Sequence, residues 1–307
     1  KKAVSGMRKE RTILSDLDGM HLSVAYDVPE HPKAIVQVAH GMTEHKERYD
    51  PFLEYLASHG YGWVIHDHRG HGASVDRLED LGYFGHDDPY ALAEDLETVR
   101  RWIGTMWKDI PVYLFAHSMG TLAARLFLQR YDRQIEKLVL CGPPTQNPLA
   151  PLGIFLAKWN AALFGERNRS RFLQAVTFGK YPAFLQDPFS WLSTNQQNVK
   201  KYHEDPLCGF CFTTNGFLHL YRMVRLAFCA QAYHCRHPQL PILLLAGSDD
   251  PVVQSRKKLY DLGRFLRRVG YGKVRIRMYD GMRHELLQER QKEKVERDIL
   301  RFFQRKC

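Results

Sequence analysis

Three short segments of the chain carry the residue types that nucleophilic acyl transfer needs. Ser118 lies in residues 116–120, between an apolar run and a helical stretch. The acidic pair Asp249 and Asp250 follows another apolar run, and His284 comes near the end of the chain. A serine hydroxyl is a weak nucleophile until a base takes its proton, and the base needs an acid that holds its tautomer. The three segments therefore predict a reaction that passes through an ester of Ser118.

The residues around Ser118 are typical of a sharp turn between a strand and a helix. Residues 112–116 form the apolar run, and residues 119–130 form the helical stretch. Such a turn needs small residues two before and two after the serine, because the backbones pass closely there. Gly120 meets this need, and Ala116 is still small. The alternative is a serine that only caps the helix; its position after an apolar strand favours the nucleophile.

Chain order assigns the general base. The chain has 15 histidines, but His284 follows the last predicted strand, residues 274–278. A loop at the carboxyl end of a strand can reach the nucleophile, whereas the alternative is a histidine in an ordinary surface loop. We therefore expect His284 to take the proton of Ser118.

Two neighbouring residues compete for the role of the acid. Asp249 and Asp250 both follow the predicted strand 242–246. Neighbouring side chains point in different directions, so normally only one of them serves. Capping of the next helix does not separate them, because an acidic residue before Pro251 fits either assignment. On this reasoning both remain open.

Two backbone amides are expected to stabilise the oxyanion of the reaction. One is the N–H of Met119, directly after the nucleophile, and the other comes from the loop after the third strand. That loop is residues 40–45, where Met42 is the candidate donor and Gly41 gives the bend.

Two groups of potential metal ligands are interpreted as structural. Residues 66–72 hold three histidines and an aspartate, but they follow a strand and contain two glycines, which is typical of a hydrogen-bonded turn. Cys208 and Cys211 precede Cys229 and Cys235 with a spacing that fits neither a zinc ribbon nor a zinc finger. We expect free, partly buried thiols, no metal and no cofactor.

The elements that hold these residues alternate along the chain. Short apolar runs are separated by amphipathic helical stretches, a pattern typical of parallel strands that are covered on both faces. It predicts a doubly wound, mostly parallel α/β sheet of about eight strands. Residues 11–15 and 20–27 add an antiparallel hairpin before it. The runs lie at residues 34–39, 62–66, 112–116, 137–141, 242–246 and 274–278.

The alternation stops between about residues 143 and 237. Apolar helical stretches fill this segment, and an insertion there would lie over the carboxyl ends of the strands, where such sheets bind ligands. We predict an α/β core in residues 1–143 and 237–307 and an inserted helical cap in residues 144–236. The substrate-binding residues are expected in the cap.

Charge and hydropathy limit the kinds of partner that the protein can have. The net charge is +10, and residues 256–283 hold ten lysines and arginines. A basic surface can bind anionic lipid or nucleic acid, but charge runs are usually solvated and no nucleic-acid-binding motif is present. No run of residues approaches the length of an apolar bilayer-spanning helix, and residues 1–7 contain no apolar stretch of signal-peptide length. We expect a cytoplasmic protein in peripheral contact with membranes or lipid aggregates, and no nucleic-acid partner.

Taken together, these motifs resemble the monoacylglycerol lipase and lysophospholipase branch of the α/β-hydrolases, a group also described as serine-aminopeptidase-like. The resemblance spans nearly the whole chain. Its Gly-x-x-Asp-x-x-Val pattern begins at Gly247 and selects Asp250 as the acid. Residues 205–210 are similar to the cap of bacterial members, while Ala116 and Thr121 stand where the group commonly has glycine. The motifs lie at residues 39–45 together with Arg48 and Tyr49, and at residues 66–72, 116–120, 247–253 and 283–285.

The resemblance implies a serine esterase or lipase that hydrolyses fatty-acid esters without a cofactor. The implied triad is Ser118, Asp250 and His284. An aspartate nucleophile is needed by epoxide hydrolases and dehalogenases, so Ser118 excludes them. Because a fold does not determine function, iminopeptidase, thioesterase and acyltransferase activities stay open, and a catalytically inert binding protein is the least favoured alternative.

Overall fold

A single eight-stranded sheet forms the centre of the protein, and a computed structural model describes it through residues 8–179 and 188–305. The strand order is β1-β2-β4-β3-β5-β6-β7-β8. Strands β3 to β8 pair in parallel, whereas β1 pairs antiparallel with β2 and β2 with β4. The strands are β1 (Lys9–Leu14), β2 (His21–Asp27), β3 (Ile35–Ala39), β4 (Gly62–His66), β5 (Val112–His117), β6 (Lys137–Cys141), β7 (Ile242–Gly247) and β8 (Val274–Tyr279).

The central strands are apolar because both of their faces are covered. Every residue of β3, β4, β6 and β7 is buried. One face packs against α2 (Ala91–Met106), α3 (Met119–Tyr131) and α8 (Arg256–Arg268). The other packs against α1 (Asp50–Ser58) and α9 (Lys292–Gln304). The doubly wound, mostly parallel sheet expected from the sequence is therefore confirmed, and so is the antiparallel hairpin at its edge.

Between β6 and β7, the described residues form helices instead of strands. This segment, called the cap below, contains α4 (Ala150–Phe164), α5 (Arg171–Phe178), α6 (Gln196–Glu204) and α7 (Thr214–Leu226). Helix α4 lies against α7, where Gly153 faces the Tyr221 ring at a distance that leaves no room for a side chain. Gln129 of α3 donates a hydrogen bond to the Leu226 carbonyl (2.9 Å), which ties α7 to the core.

None of the helices in the described ranges combines the length and the apolar character that crossing a bilayer requires.

Candidate active site

Ser118 lies in a sharp turn between β5 and α3. Its backbone has φ +49° and ψ −118°, a conformation that non-glycine residues rarely adopt. The Ser118 N–H donates to the Cys141 carbonyl (2.9 Å), so β6 holds the turn. A Cβ at Gly120 would lie 2.5 Å from the carbonyl oxygens of Ala39 and His40. Glycine at this position lets α3 start directly against β3, and the hydroxyl is presented at the carboxyl end of the sheet.

The structure brings three of the predicted residues into one hydrogen-bonded chain. The Ser118 Oγ lies 2.7 Å from His284 Nε2, and His284 Nδ1 lies 2.9 Å from Asp250 Oδ2. Asp250 and His284 are buried, and the second oxygen of Asp250 accepts the Val252 N–H (2.8 Å). This is the geometry of a nucleophile, a base and an orienting acid. Asp249 does not take part in these hydrogen bonds. It is exposed and accepts a hydrogen bond from the Ser248 hydroxyl (2.7 Å).

Two aromatic side chains and a glycine confine the His284 ring. The ring centroids of His117 and Trp191 lie 4.9 and 5.3 Å from that of His284. Gly142 has φ +58°, and a Cβ there would come within 3.1 Å of the imidazole. Trp191 belongs to the cap, so the cap shields one side of the base from solvent.

Both predicted oxyanion donors border the cavity beside Ser118. Met119 is the first residue of α3, where backbone N–H groups have no partner within the helix. Met42 lies in the loop 40–45 with Gly41, at which a Cβ would approach Glu44 Oε1 to 2.6 Å and Ser118 Cβ to 3.2 Å. Glycine is therefore required at position 41 because a side chain would not fit next to the nucleophile. Its backbone conformation does not require glycine, since Gly41 is not among the residues with positive φ.

A charged network that the sequence did not predict lies beneath this loop. The Glu44 carboxylate accepts hydrogen bonds from the Gly41 N–H (2.5 Å), the Tyr49 hydroxyl (2.9 Å) and Arg48 (2.7 Å), and it lies 3.1 Å from His117 Nδ1. Although burial opposes ionisation of both groups, the hydrogen bond between them lowers the pKa of Glu44 and raises the pKa of His117.

The same network reaches the loop of the base. Arg48 also donates to both oxygens of Glu285 (2.5 and 2.9 Å), the residue after His284. Glu44, Arg48 and Glu285 appeared in the sequence only as parts of motifs. Their signal was the occurrence of several charged residues in loops that were expected to be close to Ser118.

Residues 66–72 are buried, and hydrogen bonds of Asp67 and Arg69 hold the loop in place, whereas the His66 ring nitrogens have no hydrogen-bond partner among the described residues. Asp67 accepts from the backbone and the side-chain nitrogens of Lys46 (2.8 Å each), and Arg69 donates to Asp95 (2.7 and 2.9 Å). Burial lowers the pKa of His66 and His71 to about 4. These imidazoles are therefore neutral near pH 7, and the loop supports the oxyanion loop from below.

The cysteine segment contributes to a contact between the cap and the core. Cys208 is a buried free thiol, and Cys211, Cys229 and Cys235 are half-buried free thiols. His45 Nε2 lies 2.9 Å from Asp205 Oδ2, and Cys208 Sγ lies within 4.8 Å of both ligand atoms. Since His45 and Asp205 bond directly to each other, this pair ties the cap to the loop 40–45.

A cavity of about 520 Å³ opens beside Ser118. This volume is in the range that holds a small organic ligand. The sequence predicted that the cap would line this cavity but not which of its residues would do so, because the lining comes from several helices that are far apart in the sequence. Apolar side chains of the cap form much of the wall, namely Leu152, Leu156, Val176, Trp191, Leu220 and Val224.

Comparisons with known proteins extend over nearly the whole chain. The sequence profile of the family described as serine aminopeptidase, S33, matches residues 30–291. The chain is 25% identical over 286 residues to the monoglyceride lipase homolog of monkeypox virus, covering 89% of this chain and 90% of the viral protein. It is 28% identical over 288 residues to monoglyceride lipase of Mus musculus, with coverage of 90% and 84%. A carboxyl esterase from Bacillus coagulans, solved in complex with glycerol, is similar in structure with a TM-score of 0.85 and 25% identity, covering 97% of this chain and 98% of that one.

Proposed function

The chain belongs to the serine aminopeptidase (S33) family of α/β-hydrolases, and we propose that it is a serine hydrolase that cleaves carboxylic esters of fatty acids. The observation that carries the proposal is the hydrogen-bonded chain of Ser118, His284 and Asp250 at the wall of a largely apolar cavity. The similarity to monoglyceride lipases and to a carboxyl esterase supports the same reaction class.

In the first half of the reaction, the Ser118 hydroxyl attacks the ester carbonyl carbon. The proton moves to His284 Nε2, the new C–O bond forms, and the carbonyl electron pair moves onto oxygen. The N–H groups of Met42 and Met119 stabilise this oxyanion. When the intermediate collapses, the bond to the leaving alcohol breaks, and His284 returns the proton to that alcohol. The fatty acyl group is then an ester of Ser118.

In the second half, water replaces the alcohol. His284 takes a proton from water as its oxygen attacks the acyl carbon, and the proton returns to Ser118 when the fatty acid leaves. Asp250 holds the proton on Nδ1, so that Nε2 faces the serine, and it stabilises the imidazolium that forms twice.

The environment of the cavity favours esters with an apolar acyl chain over peptides with a free amino terminus. The acidic residues that line its described part are Glu44 and Glu285, and both are bonded to Arg48. Glu44 is also bonded to His117 (3.1 Å), so two basic side chains face the two carboxylates, which therefore do not offer a free site for a substrate ammonium group. Monoacylglycerols and lysophospholipids, which join one acyl chain to a polar alcohol, fit this arrangement.

The cap also supports a proposal about lipid surfaces. Helix α4 exposes a row of apolar residues at helical spacing, with Phe155 exposed to 64% and Trp159 to 52%. Leu149, Leu152 and Val176 are exposed too and also line the cavity, so the apolar surface continues into the cavity. Large exposed apolar patches mark interaction sites. We propose that this surface contacts lipid aggregates, from which the substrate enters, and the net charge of +10 favours anionic ones.

Replacement of the nucleophile tests the reaction class. Ser118→Ala should reduce hydrolysis of a chromogenic medium-chain acyl ester and of a monoacylglycerol by about 10⁴-fold or more, because the acyl-enzyme can no longer form. It should also abolish covalent labelling by a fluorophosphonate probe. Ser248→Ala, which removes an exposed hydroxyl next to Asp249, should behave like the parent protein. Undiminished turnover by pure Ser118→Ala would refute the assignment, and faster cleavage of matched amides or thioesters would change the substrate class.

A further inference from the structure

Thr43 has an unfavourable backbone conformation directly after the proposed oxyanion donor Met42. Its φ is +52°, in the left-handed region that β-branched residues rarely adopt. A residue keeps such a conformation only where the surrounding structure holds it. The contacts of Thr43 therefore determine the path of the backbone that presents the Met42 N–H.

The core holds Thr43 from one side through His71. The Thr43 N–H donates to His71 Nε2 (3.2 Å), while His71 Nδ1 lies 3.0 Å from the Arg69 carbonyl. The carbonyl can only accept, so Nδ1 carries the proton and Nε2 is free to accept. Burial lowers the pKa of His71 to about 4, which keeps the imidazole in this neutral form near pH 7.

The cap holds Thr43 from the other side through Tyr202. The Tyr202 hydroxyl on α6 donates to the Thr43 carbonyl (2.9 Å) and lies 2.8 Å from the Thr43 hydroxyl. Gly209, also in the cap, donates its N–H to the same carbonyl (3.0 Å). The Tyr202 ring is buried beneath the Arg48 guanidinium, 4.8 Å away. Burial raises the pKa of Tyr202, so its hydroxyl remains a donor at every working pH.

The backbone groups on either side of Met42 form hydrogen bonds, whereas the Met42 N–H forms none with the described residues. The Gly41 N–H donates to Glu44, and both polar backbone groups of Thr43 are bonded. Within residues 8–179 and 188–305, the Met42 N–H makes no hydrogen bond, and Met42 borders the cavity. The loop is thus held by its neighbours so that one donor remains for a ligand.

From these contacts we infer that the cap completes the oxyanion hole, with Tyr202 as the positioning residue that holds the Thr43 peptide in place. This inference rests on the proposed function and adds a role for the cap besides lining the cavity. When the cap packs on the core, the Tyr202 hydroxyl stabilises the left-handed backbone at Thr43 and so directs the Met42 N–H. Tyr202 acts through Thr43 and needs no contact with the reacting atoms.

Removal of a single hydroxyl tests the inference. Tyr202→Phe keeps the ring beneath Arg48 but loses both bonds to Thr43. Since loss of an oxyanion donor itself costs about 10²–10³ in turnover, misplacement of one should lower kcat by about tenfold, with KM changed by less than about twofold. The matched control is Tyr233→Phe, because Tyr233 is a buried cap tyrosine whose hydroxyl donates to the Ala227 carbonyl (2.9 Å). Its kcat should equal that of the parent.

A transition-state analogue separates positioning from a general structural effect. An alkyl trifluoromethyl ketone forms an oxyanion on Ser118, whereas the ether analogue of a monoacylglycerol does not. Tyr202→Phe should bind the ketone about tenfold more weakly and the ether with unchanged affinity. Equal weakening of both ligands, or a rise in KM alone, would overturn the inference.

A double-mutant cycle provides a second, independent measurement. Thr43→Gly removes the unfavourable φ, so the loop then depends less on the cap, and adding Tyr202→Phe should lower kcat by about threefold or less. A full tenfold loss in that background would contradict the inference. A different result would refute the proposed function, namely hydrolysis of esters by Ser118→Ala as fast as by the parent protein. If the parent acts through Ser118 and Tyr202→Phe matches Tyr233→Phe, only the role of the cap is refuted.

Discussion

Asp249 and Asp250 are neighbours in the sequence but lie in different surroundings. Asp250 is buried and bonded to His284, whereas Asp249 is exposed and bonded to Ser248. A buried carboxylate beside the imidazole can fix its tautomer, and an exposed one whose partner is a surface hydroxyl cannot. At the scale of single residues, the structure therefore supports Asp250 as the acid, in agreement with the motif that begins at Gly247.

Paired substitutions of these two residues test this assignment. Asp250→Asn should lower kcat for a chromogenic ester by about 10⁴-fold, because the amide stabilises the wrong tautomer of His284. Asp249→Asn makes the same chemical change one residue earlier and should leave kcat within about twofold. Steady-state kinetics of both variants give the answer, and the reverse order of effects would assign Asp249 as the acid.

At the scale of elements, α4 differs from the helices that pack on the sheet. Helix α8 turns buried residues towards the sheet and charged residues towards solvent. Helix α4 instead carries apolar residues on both its buried and its exposed sides, and Phe155, Trp159 and Phe164 are more than half exposed. Large apolar side chains on the outer side of a helix are typical of a contact with a partner there. We propose a lipid surface as that partner, because it requires no complementary protein shape.

The outer side of α4 can be made polar without changing the cavity. Phe155 and Trp159 do not line the cavity, so Phe155→Ser with Trp159→Ser should leave kcat for a soluble short-chain ester within about twofold. Loss of two apolar side chains from a lipid contact should weaken co-sedimentation with phosphatidylglycerol vesicles by about tenfold or more. Leu14→Ser with Met106→Ser, which changes two exposed apolar residues of β1 and α2, is the control. Equal vesicle binding by both double variants would refute the lipid contact.

At the scale of the whole molecule, folding encloses several histidines in the neutral form. Burial lowers the pKa of His66, His71 and His219 to about 4, and it also lowers the pKa of His40 and His68. The unfolded chain binds more protons than the folded chain between these values and the ordinary pKa of about 6.5. The stability from these residues is therefore fully present above pH 6.5 and is lost as the pH falls towards 4. His45 and His117, whose pKa values are raised through their bonded carboxylates, act in the opposite direction.

Because five histidines have a lowered pKa and only two have a raised one, the protein should be labile to acid. Urea unfolding should give a free energy of unfolding that is several kcal/mol lower at pH 5 than at pH 7, with about 2 kcal/mol from each strongly shifted histidine. His66→Leu should reduce this pH dependence by up to one proton, since neither His66 ring nitrogen has a hydrogen-bond partner among the described residues. A free energy of unfolding that does not vary with pH in this range would contradict the prediction.

Local patterns in the sequence predicted most of the strands and helices, but few of the contacts between them. The apolar runs predicted the parallel strands and their helices, because a strand that is covered on both faces must be apolar throughout. The antiparallel pairing of β2 with β4 was not predicted, since the neighbour of a strand depends on the path of the chain. For the same reason, the cap was predicted as a helical segment, while the cavity beneath it was not described residue by residue.

The sequence alone determined the chemical types at the site: a serine in a tight turn, a histidine after the last strand and an acid between them. These choices are local, because turn geometry and chain order restrict them. Only the tertiary structure decided the partnerships of Tyr202 with Thr43 and of Glu44 with His117, and it agrees with the motif at Gly247 in pairing Asp250 rather than Asp249 with His284. The residues of these pairs are between 34 and 159 positions apart. Periodicity shows which side of an element is apolar, but the packing of the whole chain determines which two polar groups meet.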